Sequence, residues 1–179
     1  MLWTPGKVDR RAALGRVLLY DVTLTGNDRF DIAAIPPSFN HLLLLALLRS
    51  TVAATGDNVY GLLNGDSTAA NYHRAEHLGG STHSSAVADN PIICGCPAAS
   101  SPADYFGIVR IWIPNYTAAR YKVMQSLTGE RRDATTSYAQ HRTVHWENTA
   151  AITQLTLQPD GYATDVFLAA SRLQLFGVN

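Results

Sequence analysis

The residues of this chain best suited to metal or nucleophile chemistry are its six histidines and two cysteines. His73 and His77 stand four apart, and so do His141 and His145. On a helix each pair would share one face and could hold zinc. A metalloprotease helix, however, carries a glutamate directly after its first histidine, and here Glu76 precedes the second histidine instead. Both pairs fall in segments that read as loop or strand. Residues four apart on one strand share a face but lie about 13 Å from each other, too far to ligate one ion. Solvated histidines are therefore expected, and no metal site. Cys94 and Cys96 are separated by one residue. A disulfide needs Cα atoms about 4.4–6.8 Å apart in a specific dihedral, and a structural zinc site needs ligand pairs at longer spacing. Both cysteines read as free thiols on a strand.

Other catalytic patterns are missing from the sequence. There is no Gly-x-Ser-x-Gly and no phosphate loop, and Gly79, Gly80 and Ser81 do not link a convincing strand to a helix. The carboxylates Asp66, Glu76, Asp89, Asp104, Glu130, Asp133 and Glu147 are scattered. A glycosidase pair needs proximity rather than spacing, and nothing in the sequence selects two of them. Residues 128–133 alternate in sign and read as an exposed loop held by weak ion pairs. Trp112 and Trp146 could stack on sugars, but packing in a core or an interface is the expectation. No catalytic residue, no cofactor and no enzymatic activity are expected.

Composition agrees with a structural role. The chain has 179 residues, with 14 basic and 14 acidic side chains and no net charge. That length suits one domain with a core of its own. The 46% hydrophobic content excludes a disordered chain, while only 16% of residues are charged, below the usual quarter or so. So few charges suit a β protein or a member of a larger assembly. The balance of charge gives no sign of nucleic acid as a partner. Residues 1–14 lack the apolar core of a secretion signal, so none is expected. The most apolar run, 42–48, is far short of the roughly 20 residues of a spanning helix, so no membrane insertion is expected.

The elements that would position these residues are short strands. Leu18, Tyr20, Val22 and Leu24 alternate with Asp21, Thr23 and Thr25, a period of two. Residues 42–48 follow Pro36 and Pro37 and read as a strand buried on both faces. Asn64 and Gly65 after an apolar run signal a hairpin turn, because both positions need positive φ. Residues 66–91 read as long loops with one weak strand. Strands are expected over 105–113, 120–127, 142–146, 151–158 and 167–176, and residues 128–137 read as a charged loop. No stretch has convincing helical period. The sum is an all-β, antiparallel, jelly-roll-like β-sandwich over residues 15–179. It is preceded by a short extended arm, residues 1–14.

The order of several short phrases resembles a group of tailed-bacteriophage structural proteins. Residues 30–42 contain Ile35, Pro36, Phe39, His41 and Leu42, similar to a phrase Ile-Pro-x-x-Tyr-x-His-Leu of that group, with Phe39 in place of tyrosine. Leu48, Arg49 and Ser50 follow, then Asn64, Gly65 and Asp66, then Asn71 and Tyr72. Later come Tyr105 to Gly107, Pro114 to Tyr116, Tyr121 with Lys122, Trp146 before residues 148–152, and a terminal phrase from Ser171 to Gly177. The resemblance covers residues 15–179. It implies a jelly roll on the surface of a virion, assembled in the host cytoplasm. A capsid decoration or head-fibre protein is the expected role, and a tail-fibre or baseplate module that binds carbohydrate is the alternative. The implied partners are the major capsid protein or tail proteins, other copies of the chain in a homotrimer, and a host surface glycan. Trp3, Arg10 and Arg11 of the arm are the expected docking residues. Asn64, Asp66, Asn71 and Tyr72 are candidates for surface recognition, and loops 64–91 and 128–141 for variable outward contacts.

Overall fold

A computed structural model describes residues 15–79, 82–87, 90–160 and 164–179. Trp3, Arg10 and Arg11 lie outside the described residues. Twelve strands follow one another: β1 (Arg16–Thr23), β2 (Phe30–Ile32), β3 (His41–Leu48), β4 (Gly56–Leu63), β5 (Tyr72–Leu78), β6 (Thr82–Val87), β7 (Ile92–Pro97), β8 (Gly107–Pro114), β9 (Lys122–Arg131), β10 (Ser137–Trp146), β11 (Leu155–Pro159) and β12 (Arg172–Val178). They form two antiparallel sheets packed as a sandwich. The larger has the order β1-β12-β3-β8-β9-β10-β5-β6, and the smaller the order β2-β11-β4-β7.

Inward positions recur at every second residue, as a half-buried strand requires. In β3, Leu42, Leu44, Ala46 and Leu48 enter the core, and they meet Val109, Ile111 and Ile113 of β8 there. Phe30, Ile32, Leu155, Leu157, Leu63 and Val59 close the core from the smaller sheet. The expectation that β3 is buried on both faces holds for Leu43, yet Leu47 at its far end is 45% exposed.

Three local expectations are corrected. Residues 66–91, expected as long loops with one weak strand, hold two strands, β5 and β6, among the described residues. Strand β9 runs on through Arg131 and β10 starts at Ser137, so little of the expected 128–137 loop remains. Asn64 and Gly65 do adopt φ of 52° and 70°, and the Asp66 N–H closes the turn on the Leu63 carbonyl. The turn is not a hairpin, however. Strand β4 pairs with β11 and β7, whereas β5 pairs with β10 and β6, so the turn carries the chain from the smaller sheet to the larger.

The edge of the smaller sheet is covered by the larger one. Strand β7 packs against β8, β9 and β10, and all six of its residues are buried. Both cysteines sit there as free, buried thiols. The strands that cover β7 turn polar side chains toward it. The Ser126 hydroxyl donates to the Ile93 carbonyl. Glu130, its side chain fully buried, accepts from Arg132 at 2.7 Å and from Gln140 at 3.0 Å. A Cβ at Gly95 would come within 2.7 Å of the Glu130 carboxylate, so this position must stay bare. Glu130 and Arg132 were expected on an exposed loop. Glu130 is buried instead, because strand continuation turns it inward, and Arg132 beside it is half-buried.

Gly177 of β12 is a second position without room. A Cβ there would overlap the ring of Phe39, which packs against the core. Gly177→Ala should therefore lower stability by about 1–3 kcal/mol through forced displacement of the ring. Thermal or urea unfolding would read this, and an unchanged midpoint would show that the ring yields freely.

Candidate functional site

The phrases that stand out in the sequence meet one another in space as three internal locks. In the first, the Tyr116 hydroxyl donates to the Pro36 carbonyl, the Asn115 N–H donates to His41 Nδ1 at 3.2 Å, and Phe39 covers Gly177. In the second, Arg49 gives its guanidinium to the carbonyls of Ala99, Ser101 and Pro102, while its backbone N–H donates to the Ser171 hydroxyl at 3.2 Å.

The third lock contains all four candidate recognition residues. Asp66 Oδ2 accepts from Trp146 Nε1 at 2.7 Å and from Asn71 Nδ2 at 2.8 Å, and Oδ1 accepts from the Thr68 N–H at 2.9 Å. The Tyr72 hydroxyl donates to the Asp66 carbonyl and accepts from the Leu63 N–H. The Asn64 side chain donates to the Ala151 carbonyl and accepts from the N–H groups of Thr153 and Gln154. Asn64, Asp66, Asn71 and Tyr72 thus come together, but their polar atoms hold the two sheets to each other. Tyr72 is fully buried and offers nothing to the surface. Trp146 is buried with it, as expected of a core tryptophan.

What the molecule presents outward is the far face of the larger sheet. Leu47, Ile108 and Leu127 are 45%, 61% and 53% exposed. Leu45, Leu47 and Ile108 form an apolar area beside Arg110 and Arg172, and Leu127 stands on the far side of Arg110 from Leu45. A depression of about 320 Å³ adjoins it, lined by Arg16, Arg110, Trp112, Leu127 and His141 among others. Trp112 stacks on the His41 ring with centroids 4.9 Å apart and remains half-buried. Sequence reasoning missed this face because its apolar residues are spread over β3, β8 and β9, and their outward parity shows only once register is known.

Histidines occupy the other half of the same face. Strand β10 sets His145 opposite His73 and His141 opposite His77. His77 in turn stands opposite His83 of β6. His73 Nε2 lies 3.2 Å from the Glu147 carboxylate. The sequence gives two pairs along single strands, and the fold regroups them into pairs across strands. Among the described residues, no three His, Cys, Asp or Glu side chains converge on one point.

Two carboxylates have shifted titration with opposite sign. Burial pushes Asp57 of β4 up to about 6 from an ordinary 3.8, while the Ser50 hydroxyl and the Asn58 N–H pull it back only in part. The folded state then holds this proton more tightly than the unfolded chain. The contribution of Asp57 to stability falls as the pH rises from about 4 through 6. Asp57→Asn should raise the unfolding temperature at about pH 7.5 and leave it nearly unchanged at about pH 3. For Asp66, desolvation raises the value, but the hydrogen bonds from Trp146, Asn71 and Thr68 outweigh it and hold the carboxyl below its ordinary range. Its contribution is present above that range and is lost as the pH falls through the folded value. Asp66→Ala should cost about 2–4 kcal/mol near neutral pH by leaving several donors without acceptors. Urea unfolding at two pH values would check both signs. No protein-family model matches this chain, and no curated protein or solved structure shows significant similarity to it.

Proposed function

We propose that this chain is a structural protein of a bacteriophage particle, a capsid decoration or head-fibre protein that docks on the virion through the outer face of its larger sheet. The observation that carries the reading is the open apolar area at Leu45, Leu47 and Ile108, with exposed Leu127 across Arg110 from it, on a chain with few charges. Contiguous apolar surface rimmed by polar groups is a mark of an interaction site. It lies on rigid central strands and not on loops around a cleft, which suits docking on a repeated surface better than turnover of a small substrate.

Strand order supports the same reading. With the β5–β6 and β9–β10 hairpins set aside, the remaining eight strands divide between the sheets as β1-β12-β3-β8 and β2-β11-β4-β7. This interleaving supports the jelly-roll reading, and jelly rolls occur in viral capsid and lectin domains. The virion assignment itself rests on the collinear phrases, from Ile35 and Pro36 to Gly177, that resemble tailed-phage structural proteins. The arm with Trp3, Arg10 and Arg11 supplies a second contact to the particle or to a neighbouring copy in a homotrimer.

Cryo-electron microscopy of phage particles that carry the chain is the test, with density expected at regular positions on the head. Density confined to the tail tip would replace the reading with the tail-fibre or baseplate alternative and a host glycan as partner, and absence from the particle would overturn it. Ile108→Glu and Leu127→Glu should lower occupancy while leaving the unfolding temperature unchanged, because both side chains are exposed. Deletion of residues 2–12 should lower occupancy as well, and full occupancy in that variant would remove the arm from the interface.

A further inference from the structure

We propose that the depression lined by Arg16, Arg110, Trp112, Gln125, Leu127 and His141 binds an acidic saccharide, a sugar ring that carries a carboxylate or a phosphate group. Register brings these residues together from distant segments. Trp112 stands opposite Gln125, Arg110 opposite Leu127, and Leu127 opposite His141. Arg16 comes from β1, which β12 and β3 separate from β8.

The polar side chains here differ from those of the three locks, because they have no internal partner. Among the described residues, the side chains of Arg16, Arg110, Gln125 and His141 and the Trp112 indole N–H make no hydrogen bond or ion pair. The other described arginines, Arg120 excepted, lie beside a carboxylate or donate to backbone carbonyls. Two uncompensated guanidinium groups thus line one concavity, and no carboxylate lines it with them. Like charges on one wall repel each other, and together they focus a field that attracts an anion. The planar fork of a guanidinium matches the oxygens of a carboxylate or a phosphate.

A bare anion would leave the rest of the lining without a role. Trp112 supplies an aromatic surface, held by its stack on the His41 ring with centroids 4.9 Å apart. Leu127, more than half exposed, adds apolar area beside it. An aromatic body with a polar edge suits a sugar ring, which is apolar on its face and hydroxylated at its rim. The Gln125 amide both donates and accepts, as recognition of hydroxyl groups requires. The volume of about 320 Å³ stands at the lower end of the roughly 300–1,000 Å³ of small-molecule sites. That is the size class of a monosaccharide or disaccharide. The inference concerns the free chain and does not rest on the virion reading.

Nuclear magnetic resonance of the full, isotope-labelled chain tests this through the indole N–H signals of its tryptophans. The probes are glucuronic acid and a phosphorylated glucose, with glucose, acetate and inorganic phosphate as controls. The Trp112 signal, assigned by its loss in Trp112→Phe, should move saturably with at least one acidic sugar, and the sugar that moves it identifies the acid group. The Trp146 signal should stay in place, since that indole is buried on Asp66. Arg16→Ala and Arg110→Ala should each weaken binding about tenfold, the loss expected of a hydrogen bond to a charged group. Both side chains are exposed, so the unfolding temperature should not change. Arg120→Ala removes an exposed cation outside the depression and should leave affinity as it was. Absence of a saturable shift with either acidic sugar overturns the site. So does undiminished affinity in the Arg16→Ala or Arg110→Ala chain, or an equal loss in Arg120→Ala. Acetate or inorganic phosphate binding as tightly as the acidic sugars overturns the saccharide, and glucose binding as tightly overturns the role of the acid group.

Discussion

An exposed strand edge offers unpaired N–H and C=O groups to any other chain, so it must be paired, covered or repelled. Here the edge at risk is β7, the last strand of the smaller sheet, and covering it organises much of the molecule. The β5–β6 and β9–β10 hairpins extend the larger sheet from four strands to eight, and β9 and β10 close over β7. A buried backbone edge needs polar partners rather than hydrocarbon. The inward side chains of the extension include Ser126, Thr128, Glu130, Gln140 and Arg142, and among these the Ser126 hydroxyl bonds the β7 backbone at Ile93. Arg142 pairs with Glu76 at 2.8 Å and Glu130 with Arg132, so the charges taken from water are compensated within the seam.

This constraint explains where the sequence was legible and where it was not. Period-two reading detects a strand by its apolar inward residues. It works for β1, β8 and β12, whose inward sides meet the hydrocarbon core. It fails for β5, where the inward positions after Tyr72 are Arg74 and Glu76, and for the end of β9, where they are Thr128 and Glu130. These segments look like charged loops for the same reason that they make good covers for β7. The Asn64-Gly65 turn illustrates a different gap. Its backbone demand is local and was visible, but the sheet that receives the outgoing chain depends on pairing with β10, some 70 residues away by number. The roles of Asn64, Asp66, Asn71 and Tyr72 were hidden likewise, since their partners Trp146, Ala151 and Gln154 are remote in sequence.

The three locks bear on what a resemblance of short phrases can carry. Pro36, Phe39, His41, Arg49, Asp66, Asn115, Trp146, Ser171 and Gly177 all act on other parts of the same chain. A recurring set of such residues describes how a sandwich is closed at its ends, and fold says little by itself about what the surface binds. The phrases therefore speak first to the scaffold. The chemistry that faces outward lies on other residues, the apolar area of β3, β8 and β9 and the histidines of β10 and β5, none of which belongs to the locks except His41 beside Trp112.

Extension of the larger sheet creates that outer face as well as covering β7. Eight strands of one sheet give a broad surface on which residues from distant segments are set in rows, and the two halves of the surface differ in kind. The half built on β3 and β8 belongs to the eight-strand sandwich and carries Leu47 and Ile108. The half built on β10, β5 and β6 belongs to the inserted hairpins and carries the histidines. Because side chains alternate strictly along a strand, the inward demand for Gln140, Arg142 and Glu76 fixes the outward parity of His141 and His77. A slip of one residue would bury the histidines and expel the charges that serve the seam. The polar seam thus holds the register that sets the histidines in rows, and the inside of this sheet determines which residues its outside presents.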